Sequence, residues 1–315
     1  MSKTVIKRVL KAMFMGAAKI YFPDGHLEKP IWDALVKAGY NLRKSARGYI
    51  IGVDHPDLTF KQVRPQIMPF YINMNKGDGG FTGGDILENS RLRYDLKNVV
   101  VVEELPFRPT RLVAAISKEQ YPDVKSIEDL RDQVRDKQVM LASEFPELAE
   151  RYARHNGLNT IVFDPIGKTE ASLLPPHPEA DLIIEVTEFG TTLKENECRI
   201  IDNVMEDIKS VFIANANSYK EKKPVINNLM TDLREVLNSQ NLVSLVLNVP
   251  EKDKIDAVLN FLSDEGFNPT VSQLAGGGVA VHIILDREKV KFLKPKLREL
   301  GARRVASQPI ITFGD

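Results

Sequence analysis

The stretch A-D-L-I-I-E-V-T-E-F-G-T-T-L, residues 180–193, indicates an α/β fold because a buried strand leads through a polar loop towards a helix. The apolar run at 182–184 is typical of a strand covered on both faces. Thr192 followed by Glu195 predicts a capping box at the start of a helix. Such a loop can present N–H groups, hydroxyls and the positive end of a helix dipole to an anion. The alternative is a capped connection that binds no ligand.

Strands and helices alternate on both sides of this stretch. Short apolar runs predict strands at residues 19–22, 99–102, 112–116, 139–142, 160–163 and 181–185. Helical periodicity predicts helices at residues 27–38, 126–135 and 146–156. The alternation predicts a mainly parallel sheet covered by helices on both faces. Sheets of this kind bind ligands at the carboxyl ends of their strands.

The last third of the chain has a different pattern. After a charged amphipathic helix predicted at 220–239, strands are predicted at 242–249, 270–274, 279–285 and 303–307, and helices at 252–265 and 287–300. This β-α-β-β-α-β order is ferredoxin-like. One face of its sheet would need a partner or a neighbouring domain to cover it, so we expect an oligomer.

Composition is that of a multidomain enzyme and does not choose among enzymes. The 315 residues are many for one core, so two or three domains are expected. Lys and Arg total 43, as do Asp and Glu, so no net charge draws the chain to nucleic acid or to an anionic membrane. The single cysteine, Cys198, excludes an intramolecular disulfide and fits the cytoplasm.

The N-terminus superficially resembles a signal peptide, because Lys3, Lys7 and Arg8 precede an apolar stretch. Lys11 interrupts that stretch, and no run approaches about 18 apolar residues, so neither export nor a membrane span is expected. Residues 4–17 are predicted to form an amphipathic helix. Spacings typical of zinc or calcium ligands do not occur in the sequence, so no tightly bound metal is expected.

Five short segments, taken in order, resemble the motifs of one enzyme family. They are K-I-Y-F-P-D-G-H-L at 19–27 (family turn P-K-G-R-L), R-P-Q-I-M-P-F-Y-I at 64–72 (R-x-x-D-I-P-x-Y-V), G-D-G-G-F-T-G-G-D-I-L at 77–87 (G-x-x-D-x-G-I-T-G-x-D), S-E-F-P-E-L-A-E-R-Y at 143–152 (T-E-Y-P-N-L-x-R-R-Y) and E-V-T-E-F-G-T-T-L at 185–193 (D-I-V-E-T-G-T-T-L). The family is the long form of ATP phosphoribosyltransferase, the first enzyme of histidine biosynthesis. The segment at 269–282 resembles its regulatory domain, which the short form lacks.

The resemblance implies a two-lobed α/β catalytic body of the periplasmic-binding-protein type, followed by a ferredoxin-like regulatory domain. We expect lobe I at residues 1–105 and 188–220, lobe II at 106–187 and the regulatory domain at 221–315. The implied reaction is the Mg²⁺-dependent attack of adenine N1 of ATP on the anomeric carbon of phosphoribosyl pyrophosphate. The implied partners are L-histidine, as an inhibitor, and further copies of the chain in a hexamer or a dimer. No nucleic acid or membrane partner is expected.

The resemblance also implies site residues. Phosphoribosyl pyrophosphate is expected to contact Thr187, Glu188, Phe189, Gly190, Thr191 and Thr192. The carboxylates of Glu185 and Glu188 are expected to bind ribose hydroxyls or to offset positive charge on the ribose. ATP is expected to contact Gly25, His26, Arg64, Thr82, Gly83 and Asp85. Histidine is expected at Ser272 and Ala275. Simpler roles remain open, namely a solvated Glu188, a strand-end Glu185 and an N-cap at Asp85.

Departures from the family pattern leave a second function open. Asp24 and His26 stand where the P-K-G-R-L turn has two cations, which removes positive charge from a site for polyphosphates. The segment 167–181 gains three prolines. Glu197 replaces the glycine of an N-G turn and would be strained if that turn keeps a positive φ. The alternative is a noncatalytic or altered-substrate ligand-binding paralogue on the same scaffold. An exported solute-binding protein is a third candidate, which lacks a credible signal peptide.

Overall fold

The computed structural model describes residues 16–44 and 48–314. The helix predicted at 4–17 lies outside these residues except for its last two positions. The described residues divide into two compact units, one of residues up to 32 together with 41–227, and one of residues 33–40 together with 228 onward.

The part of the chain before residue 216 carries ten strands and six helices within its described residues. In chain order they are β1 (Ala18–Pro23), α1 (Glu28–Lys37), β2 (Leu42–Lys44), β3 (Ile50–Val53), β4 (Leu58–Val63), α2 (Met68–Asn73), β5 (Gly79–Gly83), α3 (Gly84–Arg93), β6 (Val99–Ser117), α4 (Ile127–Val134), β7 (Val139–Ala142), α5 (Pro146–His155), β8 (Thr160–Phe163), β9 (Leu182–Thr187), α6 (Thr191–Glu195) and β10 (Cys198–Asn215). Short 3₁₀ turns lie at Gly25–Leu27, Pro65–Ile67 and Thr169–Leu173.

The ten strands form one mixed sheet in the order β2-β3-β4-β1-β5-β10-β6-β9-β7-β8. Strand β1 is parallel to β4 and β5, and β7 is parallel to β8 and β9. The other neighbours are antiparallel. The expectation of a mainly parallel sheet is therefore wrong. Its physical reason is that β6 and β10 run antiparallel through the middle, while β2, β3 and β4 form an antiparallel edge.

Two long strands join two α/β lobes. Strands β6 and β10 pair along most of their length, with register shifts between Ile200 and Ser210. Residues 210–214 of β10 pair with β5, and residues 111–115 of β6 pair with β9. Lobe I thus contains β1 to β5, and lobe II contains β7 to β9. This is the two-lobed architecture of the periplasmic-binding-protein type, as the sequence predicts.

The exact lobe boundaries stay a prediction. Leu193 of α6 packs in one cluster with Val113, Ala142 and Ile183, which are lobe II residues. The predicted boundary assigns residues 188–220 to lobe I, although Leu193 packs against lobe II residues.

Helix α5 forms one wall of the cleft between the lobes. Pro146 occupies its first position, where a missing N–H costs no intrahelical bond. Leu148, Ala149 and Tyr152 are buried against the lobe II core. The Tyr152 hydroxyl donates to Asp202 Oδ2 at 2.8 Å, which anchors the far end of the helix to β10. The N-terminus of α5 is held at the cleft as a consequence.

The rest of the chain forms the predicted regulatory fold. Its elements are α7 (Ala216–Ser239), β11 (Leu242–Val249), α8 (Ile255–Asp264), β12 (Thr270–Gln273), β13 (Val279–Asp286), α9 (Arg287–Glu299) and β14 (Arg303–Pro309). The four strands pair antiparallel in the order β12-β13-β11-β14, which is the ferredoxin-like order. Residues of α8 and α9 share one core with alternate residues of β11 and β13. No helix in the described part of the chain is long and apolar enough to span a membrane.

Candidate active site

The loop after β9 is closed by its own residues. The N–H of Gly190 donates to the hydroxyl of Thr187 at 2.8 Å. Gly190 is buried and has a φ of 73°, a conformation that favours glycine. Helix α6 begins at the next residue, so the N–H groups of Thr191 and Thr192 lie in its first turn, where a helix offers them no acceptor. Both threonines are exposed, and the loop therefore offers N–H and hydroxyl donors to an anion.

The predicted capping box is wrong. Thr192 is the second residue of α6, and the N-cap is Gly190, which has no side chain to cap with. The positive φ of Gly190 turns the chain into the helix two residues earlier than a cap at Thr192 would. The hydroxyl of Thr192 is therefore not assigned to capping and can serve a ligand.

The guanidinium of Arg111 lies beside this loop, although no sequence motif predicts it there. Arg111 of β6 lies opposite Thr187 of β9 in the sheet. Its Nη2 is 4.0 Å from the position that a Cβ on Gly190 would occupy. Asn203 Oδ1 accepts a hydrogen bond from Arg111 Nη1 at 3.0 Å and holds the guanidinium in place. Arg111 thus brings positive charge to a loop whose own formal charge comes from Glu188. Knowledge that β6 and β9 are neighbours would have revealed it.

The two carboxylates implied as catalytic have different surroundings. Glu185 is half-buried, and its Oε1 accepts from the Val186 N–H at 3.0 Å. Burial raises the pKa of Glu185, although this bond and one from the Thr169 hydroxyl oppose the shift. Glu188 is exposed at the loop, next to Phe189, whose side chain is 75% exposed. The two carboxylates therefore differ in their exposure to solvent.

A cleft of about 690 Å³ opens between the lobes, a volume typical of small-molecule sites. Lobe I lines it with the turn after Arg64 and with α3, and lobe II with the start of α5 and residues 164–167. Arg64 and Arg93 supply positive charge to it. Its apolar lining residues are Ile67, Ile86, Phe145, Pro146 and Ile166.

Hydrogen bonds cross between the lobes beside this cleft. Asn89 of α3 donates to Glu147 Oε2 at 2.7 Å, and its Oδ1 accepts from the Leu148 N–H at 3.0 Å. Arg93 Nε lies 3.4 Å from Glu147 Oε1. The first turn of α5 is therefore capped from lobe I. The lobes are bonded to each other at this place.

One of the residues predicted to contact ATP, Arg64, lines the cleft, and its charge is paired. Asp24 Oδ2 lies 3.3 Å from Arg64 Nε, while the Arg64 side chain remains 78% exposed. His26 is exposed near the carboxylates of Asp85 and Glu144. Burial raises the pKa of Asp85 and of Glu144, and the nearby His26 opposes both shifts. The structure thus brings a histidine and two carboxylates together near Arg64.

The glycine-rich segment supports the cleft from behind. Thr82 is fully buried, and its hydroxyl donates to the Pro65 carbonyl at 3.3 Å. It positions the turn that follows Arg64 and does not itself face the cleft. Gly83 is the N-cap of α3, so the alternative in which Asp85 caps this helix is wrong. The Asp85 carboxylate folds back over Gly83, where a Cβ would overlap it. Gly25 is exposed with a φ of 74°.

Comparison with known proteins decides the family. The sequence profile described as ATP phosphoribosyltransferase matches residues 64–235, and the one described as HisG, C-terminal domain, matches residues 239–311. The chain belongs to the ATP phosphoribosyltransferase family. It is a long-form member, since it carries the C-terminal domain.

Proteins similar to this family member match between 70% and 93% of its chain. The ATP phosphoribosyltransferase of Archaeoglobus fulgidus is 63% identical over 254 residues, which are 80% of this chain and 90% of that protein. The ATP phosphoribosyltransferase of Thermodesulfovibrio yellowstonii is 31% identical over 303 residues, which are 93% of this chain and 96% of that protein. A chain of the ATP phosphoribosyl transferase (HisG:HisZ) complex from Thermotoga maritima is similar in structure, with a TM-score of 0.57 and 25% identity. The match covers 70% of this chain and 98% of that chain.

Several motif positions of the ATP phosphoribosyltransferases differ here in charge or size. Phe189 stands where the family string E-T-G-T-T-L has threonine, and Ile67 stands where R-x-x-D-I-P has aspartate. A carboxylate is nevertheless present beside Arg64, because Asp24 pairs with it. Glu197 has a φ of 53°, so the predicted strain in the turn after α6 is confirmed.

The residues predicted to bind histidine lie at the exposed edge of the second sheet. Ser272 of β12 pairs with Ala280 of β13, and Ala275 lies in the exposed turn between these strands. Gly278 closes this turn with a φ of 81°, and a Cβ there would overlap the Val249 carbonyl. A histidine site at Ser272 and Ala275 stays a prediction.

Proposed function

We propose that this ATP phosphoribosyltransferase joins the anomeric carbon of phosphoribosyl pyrophosphate to N1 of ATP. The observation that carries the proposal is the loop at Gly190, Thr191 and Thr192, whose N–H and hydroxyl donors lie beside Arg111. The N1 lone pair forms the new C–N bond as the bond from the anomeric carbon to pyrophosphate breaks. Pyrophosphate leaves with the electron pair. No protein nucleophile is required, so alignment and charge stabilisation are the tasks of the site.

The loop of residues 187–192, here called the phosphate loop, would hold phosphoribosyl pyrophosphate by the 5′-phosphate of this substrate. The N–H groups of the first turn of α6 and the hydroxyls of Thr191 and Thr192 would donate to the phosphate oxygens. Arg111 would offset their charge. Glu185, at the end of the same strand, would accept hydrogen bonds from the ribose hydroxyls. Glu188 would face the positive charge that develops on the ribose during transfer.

The cleft would hold ATP. Its apolar wall suits an adenine ring, and Arg64 and Arg93 suit the triphosphate. Asp24 pairs with Arg64, so the triphosphate would have to compete with a carboxylate for this guanidinium. Gly25 and His26 follow Asp24 in the same turn, which supports a place for them near the phosphates.

We further propose that Mg²⁺ enters with the polyphosphate groups of the substrates, because Mg²⁺ is commonly held by substrate phosphates with one or two carboxylates. Glu144 and Asp164 line the cleft and would supply carboxylate oxygens to the ion. Glu185 lies near Glu144, whose negative charge helps to raise the pKa of Glu185. When bound, the ion would neutralise the departing pyrophosphate.

The regulatory part of the proposal rests on the second unit. L-histidine would bind at Ser272 and Ala275 and inhibit the transfer by favouring one arrangement of a homo-oligomer, a hexamer or a dimer. The uncovered sheet face of the second unit supports association between copies. Both substrates are cytoplasmic metabolites, which supports a cytoplasmic enzyme.

The variant Thr191→Ala with Thr192→Ala tests the phosphate loop. Two lost hydrogen bonds to a charged group would weaken phosphoribosyl pyrophosphate binding by ~3–6 kcal/mol, while ATP binding stays nearly unchanged. Calorimetric titration with each substrate measures both. Thr160→Ala, on β8, is the matched control and should bind both substrates as the wild type does. Unchanged affinity for phosphoribosyl pyrophosphate in the folded double variant would remove this assignment.

The second candidate function is a noncatalytic ligand-binding paralogue. The Asp24–Arg64 ion pair favours it, because it removes free positive charge from the place where the triphosphate would bind. Such a protein would bind one or both substrates and form no product.

A further inference from the structure

Ile166 is an unusual residue in the cleft lining. Its side chain is 91% exposed, although isoleucine is among the residues most often buried. Its φ is 50°, a left-handed conformation that is strained for a β-branched residue. The side chain lines the interlobe cleft from lobe II. Strain and exposure thus coincide at the place where a ligand would bind.

The local structure holds Ile166 in this conformation. The Ile166 N–H donates to Asp164 Oδ1 at 2.8 Å, which closes a tight turn around Pro165. A turn of this kind is available to glycine or asparagine at lower conformational cost. Folding alone gains little from isoleucine here, because the side chain buries almost no surface. The apolar side chain therefore has more to offer to a ligand than to the fold.

The rest of the lining indicates what kind of ligand would cover this side chain. Ile67 and Ile86 line the cleft from lobe I, and Phe145 lines it from the start of α5. Asn89 also lines the cleft, with its amide bonded to Glu147 and to the Leu148 N–H. A flat heteroaromatic ring matches such a lining, because its faces are apolar and its edge carries hydrogen-bonding nitrogens.

We propose that Ile166 is a specificity-determining residue that covers the adenine ring of ATP from the lobe II side. This inference rests on the proposed function, in which the cleft holds ATP. Binding would bury the Ile166 side chain against the ring, so the apolar surface removed from water stabilises the ATP complex. The left-handed turn holds the side chain in place before ATP arrives. Phosphoribosyl pyrophosphate has a sugar ring but no aromatic ring, so it offers no flat apolar face to Ile166.

The variant Ile166→Gly separates this role from a structural one. It removes the apolar side chain and also relieves the strain at φ 50°. We expect its Kd and KM for ATP to rise about 10-fold, the typical effect of losing a buried aliphatic side chain. The KM for phosphoribosyl pyrophosphate should stay within about twofold, and the Tm should stay equal or rise, because glycine accepts this conformation. A loss of affinity joined to a gain of stability is the signature of a binding residue.

Two further variants complete the experiment. Ile166→Leu keeps an apolar side chain at this place and should restore most of the ATP affinity. Ile161→Ala is the matched control, because Ile161 is also an exposed isoleucine of lobe II, 43% exposed on β8, and does not line the cleft. It should leave the Kd for ATP unchanged.

ATP affinity equal to that of the wild type in Ile166→Gly would overturn the proposal. Equal loss of affinity for both substrates would also overturn it, since that result indicates a disturbed loop. A wild-type protein that binds ATP and forms no product would instead refute the proposed function. Calorimetry with ATP would still decide the role of Ile166 in that case.

Discussion

Asp24 sets the charge of the turn that follows β1. Its carboxylate pairs with Arg64 at 3.3 Å, and the arginine is largely exposed. An exposed ion pair contributes little to stability, so its main effect falls on the electrostatic field that an anionic substrate meets. The family turn P-K-G-R-L has a cation at this place. We therefore expect Asp24 to affect substrate affinity more than the stability of the fold.

Restoring the family turn with Asp24→Lys and His26→Arg tests this role. The change releases Arg64 and adds two cations, so ATP binding should tighten about tenfold or more, as expected for charged hydrogen bonds. Calorimetry at two salt concentrations measures the gain, which salt should reduce. Asp123→Lys with His155→Arg is the control, because it makes the same substitutions at exposed residues that do not line the cleft. Weaker ATP binding in the cleft variant would show that Asp24 and His26 have another task.

A local sequence pattern proposes the loop residues of the candidate site, but it does not predict their tertiary neighbours. Thr187, Gly190 and Thr191 belong to one continuous string, so a local pattern suffices to find them. Arg111 reaches the same loop through the pairing of β6 with β9, which no local pattern encodes. The motif around Thr82 predicts a contact with ATP. Tertiary packing buries its hydroxyl, which the motif alone does not indicate.

At the scale of secondary-structure elements, apolar periodicity predicts the strands that have a clear apolar pattern. Strands β7 and β8 lie at the predicted residues. Strand β5 has no apolar pattern because it is rich in glycine. Packing requires glycine there, since a Cβ on Gly80 would lie 2.9 Å from Tyr21 Cβ. Strand β10 has 18 residues and joins the lobes, but its polar middle, from Asp202 to Asp207, has no apolar pattern that would predict a strand.

The turn from α6 to β10 contains strain that a substitution can remove. Glu197 has a φ of 53°, and its exposed side chain pairs with Lys118 at 3.0 Å. Glu197→Gly should stabilise the protein by ~0.5–1 kcal/mol, because glycine accepts this conformation and the exposed ion pair is weak. The apparent Tm of the catalytic unit should rise by about 1–3 °C. Glu150→Gly, in the middle of α5, is the control and should lower the Tm, because it breaks helical preference. A lower Tm for Glu197→Gly would contradict this account of the turn.

At the scale of the whole molecule, the proposed association of copies and the proposed inhibition by histidine both depend on the second unit. The outer face of the second sheet leaves Val246 and Ile284 each 38% exposed, next to a hydrogen bond between Ser244 and His282. A partner that covers this face would remove apolar surface from water. Histidine can inhibit only if it binds two arrangements of the oligomer with different affinity.

Titration of the full chain with L-histidine tests the regulatory proposal. We expect heat on binding at millimolar concentrations or below, with a change in activity or in size by light scattering. Ser272→Ala should weaken this binding about 2- to 10-fold, the usual effect of one lost hydrogen bond. Ser263→Ala, an exposed serine on α8, is the control and should behave as the wild type. A titration with no heat and no change in size or activity would end the regulatory reading of the second unit.

We expect this chain to catalyse phosphoribosyl transfer although Asp24 and His26 stand where the family turn has two cations. The direct measurement is product formation by the purified full-length protein with ATP, phosphoribosyl pyrophosphate and Mg²⁺, followed by absorbance and confirmed by mass and by the N1 linkage. We expect a product that requires both substrates. The double variant Thr191→Ala with Thr192→Ala should not form it. Binding of both substrates by the wild type without any product would contradict it and would identify a ligand-binding paralogue instead.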